Sequence, residues 1–138
     1  MNQIKSPKEV VIRWAELFNC QDAEGLKELY APDAINFQVP EKPLNGKDAI
    51  YRSFKEFFQA FPDSGFKTVN LFEDDEWAIL EWDGWGTFKG NFLNYSPSGK
   101  FYTLKGCGFF HVKEGVIIFQ RGYWDKATWY RQIGIPIF

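Results

Sequence analysis

The sequence predicts an α+β domain in which helices pack on one face of a curved antiparallel sheet. Three observations carry this. Up to Phe61, apolar residues recur mainly at helical spacing. From Phe66 onward, short apolar runs separated by turn residues replace that period. Near the C-terminus, two aromatic-rich runs flank the polar break Lys113-Glu114-Gly115, which reads as a β-hairpin with Gly115 at the permissive turn position. Both faces of that hairpin carry bulky residues, so both need covering.

The elements follow in order. Ser6-Pro7-Lys8-Glu9 opens a helix, with Ser6 as cap, Pro7 in the first turn and Glu9 completing a capping box. Val10, Trp14, Leu17 and Phe18 form its apolar stripe. Asp22 caps a second short helix carrying Ala23, Leu26, Leu29 and Tyr30, which Pro32 stops. Ala34 to Val39 reads as a strand, with Ile35 and Phe37 on one face and Asn36 and Gln38 on the other. Pro40, Pro43 and Gly46 mark a loop. A third helix runs from about Lys47 to Phe61, with Ile50, Phe54, Phe57, Phe58 and Phe61 on one stripe. Strands follow over Phe66 to Glu73 and Trp77 to Phe88, the second broken by Gly84 and Gly86. Gly90 to Gly99 is a loop. Lys100 to Val112 and Val116 to Trp124 make the long hairpin, and Asp125 caps a last helix, Lys126 to Ile133.

Composition bounds the function. Aromatic residues are 20% of the 138, which points to an aromatic-lined interior, pocket or interface. The net charge of −2, with charges interspersed, gives no basic footprint for nucleic acid. No apolar run reaches the ~18 residues of a membrane-spanning helix. The N-terminus has no apolar signal core, and Cys20 and Cys107 fit neither a zinc nor a redox spacing. A single domain over residues 1–138 in a reducing cytoplasm is the expectation. The one histidine, His111, rules against a His-based metal site, and no cofactor is implied.

Taken together, certain motifs resemble those of the cone-shaped fold shared by nuclear transport factor 2, ketosteroid isomerase and the SnoaL-like polyketide cyclases. They are Trp14 to Asn19 with Asp22, Leu29 to Ala34, Leu44 to Ile50, Gly86-Thr87 with Gly90, Ser98-Gly99-Lys100, Glu114 to Ile117, Arg121 to Asp125, and Gln132-Ile133-Gly134. The resemblance implies a pocket between the concave sheet face and the helices. It hosts isomerases, cyclases, hydrolases and non-catalytic binders alike, so it speaks to fold before function. In the resembling enzymes, pocket acids and bases fall at positions occupied here by Gly122, Gly108, Trp82 and Gly84. None of these transfers a proton.

Strand alternation then selects the residues facing the pocket. Gly108 and Gly122 fall opposite each other, sharing a face with Tyr102, Phe110, Gln120 and Trp124. With Trp14, Asn36, Gln38, Phe58 and Trp82 they make an expected ligand-binding set for a small hydrophobic compound. The glycines Gly84, Gly108 and Gly122 are expected to leave room among the aromatics. Asn36, Gln38, Tyr102 and Asp125 are the catalytic candidates. An amide orients a water or a carbonyl but is no general base, and Asp125 has a competing role as a helix cap. Glu81 and Asp83 read as outer-face charges, paired with Arg121 or Lys105. His111 sits away from the pocket face. The outer face carries Phe101, Thr103, Cys107, Phe109, Ile117, Phe119 and Tyr123 with no helix left to cover them, which predicts a two-fold homodimer through the sheet. Two functions remain open: a SnoaL-like isomerase, cyclase or hydratase acting on a hydrophobic carbonyl or polyketide-like compound, and a non-catalytic ligand-binding or dimerisation module of the same fold.

Overall fold

The computed structural model describes residues 5–137, so Met1 to Ile4 of the N-terminal stretch lie outside the described residues. Four helices and six strands follow one another as α1 (Pro7–Asn19), α2 (Ala23–Lys27), β1 (Tyr30–Gln38), β2 (Leu44–Asn45), α3 (Lys47–Ala60), β3 (Gly65–Asp74), β4 (Trp77–Thr87), β5 (Phe101–Lys113), β6 (Val116–Trp124) and α4 (Lys126–Ile133). The sheet order is β2-β1-β6-β5-β4-β3. Every neighbouring pair is antiparallel except β1 with β6. The fold is the expected α+β cone, with helices on the concave face of the sheet.

α1 begins where the sequence places it. Ser6 Oγ accepts from the Glu9 amide while the Glu9 carboxylate accepts from the Ser6 amide, so two orphan donors of the first turn are satisfied. Val10, Val11, Trp14 and Leu17 are buried against the sheet. Each such side chain contributes roughly 1.5–3 kcal/mol by leaving water. Together with Leu26, Ile50, Phe54, Phe58, Phe110 and Ile117 they form the larger of two cores. The smaller core joins the end of α3 to α4 through Phe61, Phe88, Tyr102, Trp129 and Ile133. The pocket lies between the two.

The hairpin turn is as expected: Glu114 and Gly115 both have positive φ, 53° and 81°, the combination of a type I′ turn. α4 has a second task that the sequence does not show. β6 ends at Trp124 opposite Gly106, which frees the edge of β5 beyond that point. Gln132 of α4 closes that edge, its Oε1 accepting from the Thr103 amide and its Nε2 donating to the Thr103 carbonyl.

Three expectations are corrected. The second helix stops at Lys27; Leu29 is outside it, and Tyr30 to Asp33 belong to β1. Tyr30 pairs with Ile117 and the Ile117 amide donates to the Leu29 carbonyl, so sheet pairing overrides the helical spacing. Pro32 is tolerated there because the β1–β6 register is irregular between Tyr30 and Ile35, where a ladder donor is dispensable. Second, Leu44-Asn45 of the loop forms a short strand against β1. Third, Ile117 is not on the outer face. The β5–β6 register passes from His111↔Phe119 to Val112↔Ile117, so the extra residue Ile118 on β6 turns Ile117 into the core opposite Val112, where it is fully buried.

One buried polar chain ties α1, β1 and β6 together. Trp14 Nε1 donates to the Tyr30 hydroxyl at 2.9 Å, and that hydroxyl donates to Gln120 Oε1. Tyr30 is only 1% exposed. Tyr30→Phe leaves the indole N–H and the amide oxygen without a partner, so it should destabilise the domain by about 1–3 kcal/mol in urea unfolding. A midpoint equal to that of the parent would mean the chain contributes nothing.

Candidate functional site

The concave face of the sheet is a floor of cross-strand rows. Asn36, Gln120, Phe110 and Ala78 form one row across β1, β6, β5 and β4. The next holds Gln38, Gly122, Gly108 and Leu80, and the third Trp124, Gly106 and Trp82. Tyr102 and Gly86 lie further along. Above this floor sits a cavity of about 300 Å³, the lower end for small-molecule sites. Trp14, Phe18, Phe54, Phe57 and Trp129 close it from the helices.

Of the expected ligand-binding set, the cavity is lined by Trp14, Asn36, Gln38, Trp82, Tyr102, Phe110, Gln120 and Trp124. Phe58 is the exception. It is buried in the larger core, stacked on Phe54 and edge-on to Phe18, while Phe54 and Phe57 face the cavity. α3 presents Phe54, Phe57 and Phe58 on one broad stripe, and the tilt of the helix over the sheet decides which of them reach the hollow.

The glycines divide. Gly108 leaves room as expected: a Cβ there would meet nothing closer than Phe110 at 3.5 Å. Gly122 does not. A Cβ there would fall 1.9 Å from Gln38 Oε1, so the glycine exists to seat the Gln38 carboxamide. Gly84 likewise lies under the Trp82 ring, at 3.1 Å, and the same indole would be 2.3 Å from a Cβ on Gly106. Two of the three positions expected to be empty are therefore occupied by a neighbour's side chain lying flat.

The polar groups of the floor are amides. Gln38 Nε2 donates to Asn36 Oδ1 at 2.7 Å, and Trp124 Nε1 donates to Gln38 Oε1 at 2.9 Å. Gln120 accepts from Tyr30, as above. Burial pushes the hydroxyls of Tyr30 and Tyr102 up from the usual phenol range, with Asp63 adding to the effect at Tyr102. Both are neutral donors at physiological pH rather than bases.

Asp125 is not in the site. It is exposed and caps α4, with Oδ1 accepting from the Thr128 amide and Oδ2 from the Thr128 hydroxyl. These bonds hold its carboxyl below the usual aspartate range. Asp83 pairs with Lys105 at 3.0 Å on the outer face, and Glu81 accepts from Asn70. Arg121 pairs with neither carboxylate; it lies over Phe109, Phe119 and Tyr123. His111 stacks on Trp77 and bonds Glu76, away from the cavity.

Glu41 is the group the sequence reading passes over. It follows Pro40 in the β1–β2 loop, where the Glu41 amide donates to the Gln38 carbonyl at 2.7 Å and turns the chain back over the cavity. Exposed Glu41, Glu56 and Leu93 line the mouth. Partial burial of its carboxyl raises Glu41 above the usual glutamate range, against the opposing pull of Lys126. Among the described residues lining the cavity there is no lysine, arginine or histidine. The available signal was a carboxylate held between Pro40 and Pro43 directly after a pocket strand.

The sequence profile of the SnoaL-like polyketide cyclases matches residues 8–133. The chain belongs to that family. Solved structures agree on the fold. A SnoaL-like polyketide cyclase candidate from Jannaschia sp. CCS1 superposes with a TM-score of 0.84 at 19% identity, over 99% of this chain and 100% of that one. A phenazine biosynthesis-related protein from Pseudomonas aeruginosa gives 0.80 at 22% identity, over 96% and 87%. A protein of ketosteroid isomerase-like fold from Catenulispora acidiphila, solved with trimethylamine, gives 0.80 at 15%, over 96% of each chain. At these identities the likeness concerns fold alone.

Two substitutions test the geometry. Gly122→Ala should push Gln38 off Trp124 and cost about 1–3 kcal/mol in urea unfolding, whereas Gly108→Ala should be tolerated. Equal effects at the two positions would contradict the packing described here. Asp125→Asn should keep the melting temperature of the parent, because asparagine caps as well as aspartate, while Asp125→Ala should lower it. Since folding depresses this carboxyl's pKa, its contribution is present above the unfolded value and lost as acid titrates through the folded one. The difference between the aspartate and alanine proteins should therefore shrink below about pH 4.

Proposed function

We propose that this chain is an enzyme that binds a small hydrophobic carbonyl compound and abstracts a proton next to the carbonyl, as an isomerase or cyclase does. The observation that carries the reading is Glu41, a carboxylate of raised pKa at the mouth of an aromatic cavity whose interior polar groups are amides and the neutral Tyr102 hydroxyl. The proton passes from the α-carbon to the Glu41 carboxylate, and the electron pair of the broken C–H bond moves onto the carbonyl oxygen, giving an enolate. Where a C=C is conjugated with the enolate, return of the Glu41 proton to the far carbon gives isomerisation; attack of the enolate carbon on a second carbonyl forms the C–C bond and an alkoxide that takes the Glu41 proton, giving cyclisation. The aromatic walls exclude water, and Tyr102 supplies a neutral hydroxyl.

A non-catalytic ligand-binding module is the second reading. It is favoured by Gly108 and Gly122, which leave the deep end of the cavity without an acid or base. Deuterium exchange separates the two. 2-Tetralone incubated with the protein in D₂O should lose its α-proton NMR signals faster than in buffer. The rate should rise with pH along a limb lying above the usual glutamate range, because the raised pKa delays formation of the base. Glu41→Gln should lower the enzymatic rate by about 10²–10⁴ while 2-tetralone still binds. Binding without exchange, or exchange that survives the substitution, removes Glu41 as the base; the first outcome supports the module.

We also propose that the outer sheet face joins two copies of the chain. Phe101 is 56%, Tyr123 43% and Trp85 37% exposed on that face. Arg121, spread over Phe109, Phe119 and Tyr123, has a buried Nε with no partner. A patch of this kind is an association surface. Analytical ultracentrifugation should give a dimer, and Tyr123→Glu a monomer; a monomeric parent would refute the dimer.

A further inference from the structure

Asn36 and Gln120 are Cα partners on the parallel pair β1 and β6, so their side chains leave the same face of neighbouring strands, about 4.8 Å apart. Both line the cavity and both are more than nine-tenths buried, at 7% and 5% exposure. Each ends a hydrogen-bond relay that starts at an indole. An indole N–H only donates. Trp124 Nε1 therefore requires the oxygen of Gln38, which turns Gln38 Nε2 toward Asn36 and requires Asn36 Oδ1 as acceptor. On the other side Trp14 Nε1 donates to the Tyr30 oxygen, so the Tyr30 proton goes to Gln120 Oε1. Both relays run in one direction: Trp124 fixes the orientation of the Gln38 and Asn36 amides, and Gln120 turns its oxygen toward the Tyr30 hydroxyl. Each amide oxygen is engaged by the donor of its own relay. What remains unpaired is Asn36 Nδ2 and Gln120 Nε2.

We propose that Asn36 and Gln120 form a paired-donor seat for one carbonyl oxygen of the ligand. The seat selects acceptors and rejects groups that only donate. A buried amide N–H left without an acceptor costs free energy, so an apolar group of the same shape is disfavoured there. Each relay also polarises its terminal N–H in the low-dielectric interior, strengthening the bond to a developing negative charge. Phe110, next in the row after Gln120, supplies an apolar neighbour for the ligand body. The inference takes the ligand class from the carbonyl reading above but requires no turnover.

The test is a matched pair of probes, 2-acetylnaphthalene and 2-isopropenylnaphthalene, which share a shape and differ in the oxygen. Tryptophan fluorescence titration should show the ketone binding about tenfold tighter, the worth of two net hydrogen bonds. The infrared carbonyl band of the bound ketone should lie below its position in hexane. Asn36→Asp and Gln120→Glu keep each relay's acceptor and replace the free donor by oxygen; read at pH 9, each should erase most of the ketone preference and move the carbonyl band back up. Binding of the hydrocarbon and the melting temperature control for misfolding. If the two probes bind the parent equally, or the carbonyl band is unshifted, the donor seat is wrong while the pocket stands. If neither probe binds, the pocket reading falls and the seat with it. Deuterium exchange lost in Glu41→Gln with the ketone preference intact would separate proton transfer from the seat.

Discussion

The structure depends on a buried hydrogen-bond chain, Trp14 to Tyr30 to Gln120, that links the first helix to two strands lying on either side of a parallel pairing. A hydrophobic contact would hold α1 against the sheet but leave it free to slide. A donor-only indole, a hydroxyl and an amide oxygen are satisfied in one arrangement. Their burial makes any other arrangement costly, since each unmatched group would lie out of reach of water. The aromatic rings of α1 and α3 pack outward from this point, Trp14 edge-on to Phe110 and Phe54.

The cavity lies over a floor whose glycines, Gly108 aside, are covered by side chains lying flat. Trp82 lies flat across Gly106 and Gly84, and the Gln38 carboxamide lies across Gly122. Glycine is required at Gly106 and Gly122 because a Cβ would stand inside the group above it. Large side chains laid parallel to a sheet fill its first layer without filling the hollow over it, so a hollow of about 300 Å³ coexists with two well-packed cores. The chemistry of the site follows the same division. The deep end is amide and aromatic, able to bind and orient an oxygen. The carboxylates stand at the mouth, Glu41 on a turn that a single backbone bond to Gln38 closes. In the function proposed above, binding and proton transfer fall at different depths.

Much of the site was legible in the sequence because a strand alternates with a period of two. Parity alone placed Asn36 with Gln38, and Tyr102 and Phe110 with Gln120 and Trp124, and all six line the cavity. Ile117 escaped that rule because the irregularity after His111 shifts parity by one. Phe58 escaped it because a helix spreads its apolar stripe over a wide arc, and a stripe of phenylalanines does not say which of them meets a hollow. Glu41 had no period to betray it, since a loop residue's direction is set by a turn and not by a repeat. Tyr30 had helical spacing and still joined a strand, where the Ile117 pairing outweighed local preference.

By itself the sequence determined the α+β class, the caps at Ser6, Asp22 and Asp125, the place of the hairpin turn and the two faces of each regular strand. These rest on interactions between residues a few positions apart, or on a repeat the chain carries along its length. Tertiary structure alone decided the polarity of the amides, the occupant above each glycine and the placement of Glu41. Each of these depends on a partner far away in the chain: Trp14 and Gln120 are linked only through Tyr30, and Trp124 reaches Gln38 across the sheet. A hydrogen bond's direction is settled by the group at its far end, and no local pattern names that group.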